Sequence, residues 1–362
     1  MTSLLQDKFF GCIAGVHIGS AMAAPVEGWS YQRIEQTYGT LDHLLPYHHY
    51  QKTTDWVREP GTTEDGVERQ KLIITTIDHK QGRITAEDLR ATWVSDMNPH
   101  GAGVVSEPFE GPLLAMAKTP IPARDLGRYC DYAGLVSFAR SCHPIGLINA
   151  GDPETALEDI LEVGQVYQTS NSRGLQWAAV TAVAIAEATK RHATVSSVLD
   201  TVMNICGSFA DRFVQDAGVV RELEKALKLT DKCQDFRQLR KTFDEMYAGY
   251  GIPYAHSYAN EVVTKAICIF RMVKGDLREA IISGVNMGRD TDCMTAVSAG
   301  ISGALTGSRG LPDTWVKQVD YATSINPHTN SRRTLQEHAD ALYNAFQHRL
   351  DKLRTYSTEM RY

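Results

Sequence analysis

The sequence lacks every spacing that would give its cysteines a structural role. Cys12, Cys130, Cys142, Cys206, Cys233, Cys268 and Cys293 are scattered through 362 residues with no CxxC pair and no Cys/His metal pattern. An odd, dispersed set reads as reduced thiols and excludes a disulfide scaffold. Charge of one sign is equally scarce. With 37 basic and 43 acidic side chains the formal charge is −6, and no basic block offers an electrostatic footprint for nucleic acid. There is no Pro/Gly/Ser-rich linker, no low-complexity tract and no repeat at solenoid period. The opening residues, MTSLLQDKFFGCIAG, lack the basic start and continuous apolar stretch of a signal peptide. The uncharged run from Cys293 to Ser308 is too short, and too rich in Gly, Ser and Thr, to span a bilayer. A cytoplasmic protein with no nucleic-acid or membrane partner is the resulting expectation.

Strand alternation is missing as well, and what replaces it is helical. Leu5, Phe9, Ile13 and Val16 repeat at helix spacing, and the stretch from Trp177 to Thr189 is alanine-rich and apolar on most faces. Val262, Ile269, Phe270 and Val273 lie on another helix closed by Gly275, and Leu277, Ile281 and Val285 on the next. Short Gly/Pro/Asn/Asp punctuations separate the segments. The expected fold is all-α, a large helical unit. The irregular loop 40–61 carries His43, Tyr47, His48, His49, Tyr50 and Trp56. Those aromatics either close over a substrate or pack back onto the helices. An amphipathic C-terminal helix is expected at about 331–354, with Leu335, Ala339, Leu342, Phe346, Leu350 and Leu353 on one face. Docking on its own core is the expected role, dimerisation the alternative, and the oligomeric state is left open.

Two acidic turns carry the chemistry. In Gly61–Thr–Thr63–Glu64–Asp65–Gly66, a hydroxyl and two carboxylates precede a helical run. In Asn286–Met–Gly288–Arg289–Asp290–Thr–Asp292–Cys293, a glycine turn presents two carboxylates two residues apart. Carboxylates at i and i+2 of a turn can converge on one centre, and hard divalent cations take oxygen ligands from more than one segment. Helix capping is the competing explanation for either turn alone. The helix after the second turn presents Ala296, Gly300, Gly303, Ala304 and Gly307, a small-residue face that permits close helix packing.

These residues resemble the ADP-ribosylglycohydrolases, a family that includes the dinitrogenase-reductase-activating glycohydrolases and some crystallins. Gly11 to Gly28 is similar to the family's opening helix and Gly-Asp-Ala-Leu-Gly-x-Pro-x-Glu turn. Thr63–Glu64–Asp65 falls where the family has Thr-Asp-Asp, and Asn286 to Asp292 on its Gly-Gly-Asp-Thr-Asp-Thr helix. His143–Pro–Ile–Gly–Leu147, Ala150–Gly–Asp–Pro153 and Gly310–Leu–Pro with Trp315 match further segments. The resemblance implies an all-helical fold and a centre of two divalent cations, Mg²⁺ or Mn²⁺. Its ligands would be Thr63, Glu64, Asp65, Asp290 and Asp292, with Cys293 at the position of the family's last ligand Thr. It implies catalytic roles for Glu27, Asp65 and Asp292, Glu27 as a ligand or general acid/base. His100 or Glu107 is nearest to the acidic base of some members.

The departures shape the expected substrate. Ser20 replaces an Asp of the opening turn, and Glu64 is one methylene longer than the usual Asp, a displacement of about 1.5 Å. The Cys293 thiol suits Mn²⁺ or Zn²⁺ better than Mg²⁺. Where the family's Gly-Asn-Gly loop cradles ADP-ribose, the stretch here is Leu135–Val–Ser–Phe–Ala–Arg–Ser–Cys142. Val136 and Phe138 remove the close backbone approach of glycine, whereas Arg140 either contacts an anion or pairs with a carboxylate. Ser137, Phe138, Arg140 and His100 are the candidate substrate contacts. The expected activity is metal-dependent hydrolysis of an N- or O-ribosyl bond in an ADP-ribosylated or nucleoside-like small molecule. The alternatives are removal of ADP-ribose from a protein side chain, or a non-catalytic binding role.

Overall fold

Two helices rich in small residues, drawn from opposite ends of the chain, form the axis of the molecule. The computed structural model describes residues 3–48, 56–101, 110–130, 134–213, 216–247 and 257–361. The helices that position the site are α1 (Leu4–Ala23), α2 (Asp65–Lys80), α3 (His143–Ile148) and α4 (Arg173–Ala188). They are joined by α5 (Ala259–Met272), α6 (Leu277–Val285), α7 (Thr291–Thr306) and α8 (Leu335–Glu359). The fold is all-α. Among the described residues no strand forms, and only the isolated bridges Tyr47–Arg58 and Leu135–Tyr258 occur.

α1 and α7 make the most extensive helix–helix contact. A Cβ at Gly11 would stand 2.8 Å from the Gly303 carbonyl oxygen, and one at Gly15 2.7 Å from that of Ala299. The backbones themselves touch, so glycine is required on this seam. α5 and α6 flank α7, and α4 lies against α3, α5 and α7 with its residues from Gly174 to Ala188 buried. Its alanines let these neighbours approach from several sides. The buried apolar residues from Phe9 to Phe346 form one contiguous core. Val16, Val67 and Ala296 make a small separate cluster of side chains from α1, α2 and α7.

Two details correct the sequence reading, and a third bears on a loop that it left open. The segment Leu4–Val26, unlike Cys293–Ser308, is long and apolar enough to cross a membrane, but most of it is buried inside the fold as a core helix. α8 starts later and ends later than expected. Leu335, Ala339, Leu342 and Phe346 are buried, but Leu353 is 52% exposed, because the last turns of the helix outrun the surface it lies on. In the loop 40–61, Tyr47 and Arg58 are joined by reciprocal backbone hydrogen bonds of 3.1 and 2.8 Å, and Tyr47 is buried. His49 and Tyr50 lie outside the described residues.

Candidate metal centre

Both acidic turns sit at helix N-termini, yet neither caps its helix. Glu64 occupies the N-cap position of α2 and Asp290 that of α7, and neither side chain accepts a capping hydrogen bond. Capping, the ordinary explanation for acidic residues there, is therefore excluded. The carboxylates are aimed elsewhere.

The second turn is held by its backbone. Gly288 and Arg289 both adopt positive φ, 82° and 71°, which bends the chain sharply before Asp290. The Arg289 amide donates to the Trp29 carbonyl at 2.7 Å, and its own carbonyl accepts from the Gly28 amide at 2.8 Å. The Thr291 hydroxyl donates to the Ala23 carbonyl at 3.0 Å. Asn286 exchanges hydrogen bonds of 2.8 and 2.9 Å with the backbone of Leu41. The Arg289 guanidinium is clamped bidentately by Glu261 at 2.6 and 2.9 Å. These bonds latch the second turn to the end of α1, and so fix Glu27 beside it.

Asp290 and Asp292 are 3% and 2% exposed. Both oxygens of Asp290 and Oδ1 of Asp292 are buried with no hydrogen-bond partner. Ligand atoms of Asp290, Asp292 and Cys293 lie within 4.8 Å of one another. Burial, then the Asp290 charge, pushes the Asp292 carboxyl well above its ordinary range. Burial also raises Glu27, reinforced by Asp292, Asp290, Glu64 and Asp65. Buried oxygens without partners in a field of like charge are what a cation relieves. This side of the centre fits a divalent ion.

The first turn is different. Glu64 accepts from both the Tyr47 hydroxyl and Arg58, so the loop 40–61 reaches the centre through these two side chains. Asp65 is paired with Arg140 and, at 3.1 Å, with Arg69. Arg69 also pairs with buried Glu110. The Thr63 hydroxyl donates to Glu68 at 3.4 Å. Arg140 extends from the altered loop and donates to Cys293 Sγ at 3.1 Å. The Cys293 thiol, which burial raises well above its ordinary value, donates in turn to Asp292 Oδ2 at 3.6 Å.

The structure thus brings together Glu27, Glu64, Asp65, Asp290, Asp292, Cys293 and Arg140, and resolves Arg140 as a carboxylate partner. It does not bring Phe138 to the centre. That ring is wholly buried against Tyr167, with centroids 5.5 Å apart, because the stretch after Gly134 folds inward as tight turns. Ser137 is buried and accepts from Arg69 at 3.4 Å. His100 is exposed on a turn whose carbonyl meets His328, and no described contact joins its ring to the carboxylates. Ser20 is buried on α1. Glu107 lies outside the described residues. Arg58, Arg69 and Glu110 were missed from sequence. Only Arg69, one helical turn beyond Asp65, carried a local signal.

A helical fold that buries a carboxylate centre between the two ends of the chain agrees with what comparison finds. Residues 1–352 match the model of the ADP-ribosylglycohydrolase family, and the chain belongs to that family. It is 25% identical over 342 residues to an uncharacterized protein of Archaeoglobus fulgidus, spanning 94% of this chain and 97% of the other. A solved structure described as an ADP-ribosylglycohydrolase-related protein complex superposes with a TM-score of 0.64 at 18% identity, over 94% of this chain and 99% of that one. The last comparison bears on the fold alone.

Proposed function

We propose that the protein is a divalent-cation-dependent glycohydrolase that cleaves an N- or O-ribosyl bond in a small molecule. One observation carries this reading: Asp290 and Asp292 hold buried, unpartnered oxygens beside Glu27. Asp290 and Asp292 are the residues that would hold Mg²⁺ or Mn²⁺. Such an ion polarises sugar hydroxyls and acidifies a bound water. The chain supplies the rest. Glu27, whose carboxyl is raised by burial and by its acidic neighbours, gives or takes a proton at the bond being cleaved, and the neighbouring carboxylates favour a sugar carrying positive charge. Because α1 and α7 are fixed backbone to backbone, these groups need no reorganisation as charge develops.

A nucleoside-like or otherwise compact substrate is favoured over a modified protein. In the stretch that departs from the family, the amides of Val136, Ala139, Arg140, Ser141 and Cys142 all donate to carbonyls of this chain. Those amides are not available to cradle a diphosphate. Glu64, Asp65, Asp290 and Asp292 are also nearly sealed from solvent, with Glu27 only half-buried beside them, which suits a small ligand better than a protein surface. A cytoplasmic location is part of the same reading.

The test is incubation of the full-length protein, with Mg²⁺ or Mn²⁺, against nucleosides, ADP-ribosylated small molecules and ADP-ribosylated protein. Release of ribose or ADP-ribose is followed by chromatography. Turnover of the small compounds is expected. No release from any of them, with the metal shown to be bound, would defeat the hydrolase reading; release from the protein alone would reverse the substrate assignment.

A further inference from the structure

Resting on the reading that this centre binds a divalent cation, we infer that it takes one such ion and that the Arg140 guanidinium occupies the role of a second. The two acidic turns are treated unequally. On the α7 side, three carboxylate oxygens of Asp290 and Asp292 are buried and unpartnered. On the α2 side, Glu64 is neutralised by Arg58 and Asp65 by Arg140 and Arg69. An ion is called for on the first side, and the charge is already met on the second.

Arg140 is built into this position. Its Nη2 meets Asp65 at the start of α2, and its Nη1 reaches Cys293 Sγ in the first turn of α7. One planar cation thus bridges the two turns, which is the place of an ion shared between them. Space has been left for it: a Cβ on Gly66 would stand 2.7 Å from Arg140 Cδ. The residue is 7% exposed, and a guanidinium, more weakly hydrated than a metal ion, tolerates that burial when paired. The thiol at position 293 fits the same arrangement. A soft sulfur is a poor ligand for a hard cation but accepts a hydrogen bond from a guanidinium.

Glu27, Glu64, Asp65, Glu110, Asp290 and Asp292 face Arg58, Arg69 and Arg140. With every carboxyl ionised, one dication leaves a single negative charge. Two would leave a single positive charge, an imbalance of the same size, so the choice of one ion rests on the pairing of Glu64 and Asp65 by arginines.

The experiment strips the full-length protein with chelator and titrates it with Mn²⁺, reading stoichiometry by calorimetry and elemental analysis. Electron paramagnetic resonance reports whether bound ions are isolated or spin-coupled. One Mn²⁺ per chain with an uncoupled spectrum is expected. Arg140→Ala should admit a second ion and broaden the spectrum, whereas Arg140→Lys, which keeps the charge, should stay at one. Two ions in the unaltered protein, or in Arg140→Lys, would overturn the inference while leaving a cation-dependent hydrolase intact. No ion at all would overturn that reading as well. Should Arg140→Ala fail to fold, Asp290→Asn replaces it: loss of the single ion is expected, and an undiminished one-ion titration would place the ion elsewhere and defeat the assignment.

Discussion

Glu64 and Glu27 show how differently two carboxyl groups of one centre can be used. Glu64 is committed to Arg58 and Tyr47, two side chains of the loop that precedes it. Removing one partner of a buried ion pair leaves a charge in low dielectric, so Arg58→Ala should lower stability by about 3 kcal/mol. Adding Glu64→Gln to that variant should recover more than half of the loss, as read by urea denaturation; equal losses in both variants would mean that packing, not charge, is what Arg58 supplies. Glu27 has no such partner among the described residues and is raised by burial and by its acidic neighbours. Glu27→Gln should therefore keep metal affinity and thermal stability near those of the parent while lowering kcat by about 10²-fold or more, the usual contribution of a general acid/base. Steady-state kinetics on a compound turned over in the panel above would measure it, and an unaltered kcat would remove Glu27 from the chemistry. Little of this pairing was legible in sequence. The acidic turns stand out by composition, but Arg58 and Glu110 reach them only through the fold.

At the scale of the element, the helix pair α1 and α7 carries the site. Gly303 lies against the backbone of Gly11 and Cys12, where no side chain could move aside. Gly303→Ala should cost about 3 kcal/mol, at the upper end of overpacking effects, and should weaken Mn²⁺ binding as well, because α7 begins with Asp290 and Asp292. Gly207, on an exposed helix end with open space at its Cβ, is the control: Gly207→Ala should stabilise by about 0.5–1 kcal/mol. Melting temperatures of the two variants decide the point. Comparable shifts would show that the seam is looser than its geometry. The small-residue face of α7 and the apolar periodicity of α4 and α6 were readable from one sequence, since both follow from 3.6-residue spacing. Which helix α7 would meet was not, because a small-residue stripe accepts any partner that also has one. α8 illustrates the same limit: its apolar face repeats through Leu353, but burial stops sooner.

At the scale of the whole molecule, three histidines buried among the described residues shape the response to acid. His17, His143 and His338 are lowered from the ordinary value chiefly by burial, His143 to about 3. His17 also faces His338, Lys71 and His143, and His338 faces Lys71 and Arg333. A depressed histidine is neutral in the fold while the unfolded chain takes up protons below about 6.5. Their contribution is therefore complete above that value and is lost as the pH falls toward the folded values. Together the three give a slope of up to about 4 kcal/mol per pH unit once the pH is well below 6.5. Glu27 and Asp292 act oppositely, since raised carboxyls favour the fold as pH falls. A cation bound at Asp290 and Asp292 holds Asp292 ionised and removes its share of that compensation. The Mn²⁺-loaded protein should thus lose stability more steeply between pH 6.5 and 5 than the metal-free protein, and His143→Gln should flatten the slope by roughly one third. Parallel slopes with and without Mn²⁺ would contradict this account.

What the sequence by itself determined is the helical class, the two acidic turns and the family, because periodicity and short-range motifs survive without knowledge of contacts. What only the tertiary structure decided is how the charge of those turns is met. Asp290 and Asp65 look alike in one dimension. In three, one keeps both oxygens buried and unpartnered while the other is held by arginines. That difference arises from side chains 75 and 153 residues apart in the chain, joined at Arg140, and Coulomb energy depends on distance in space alone.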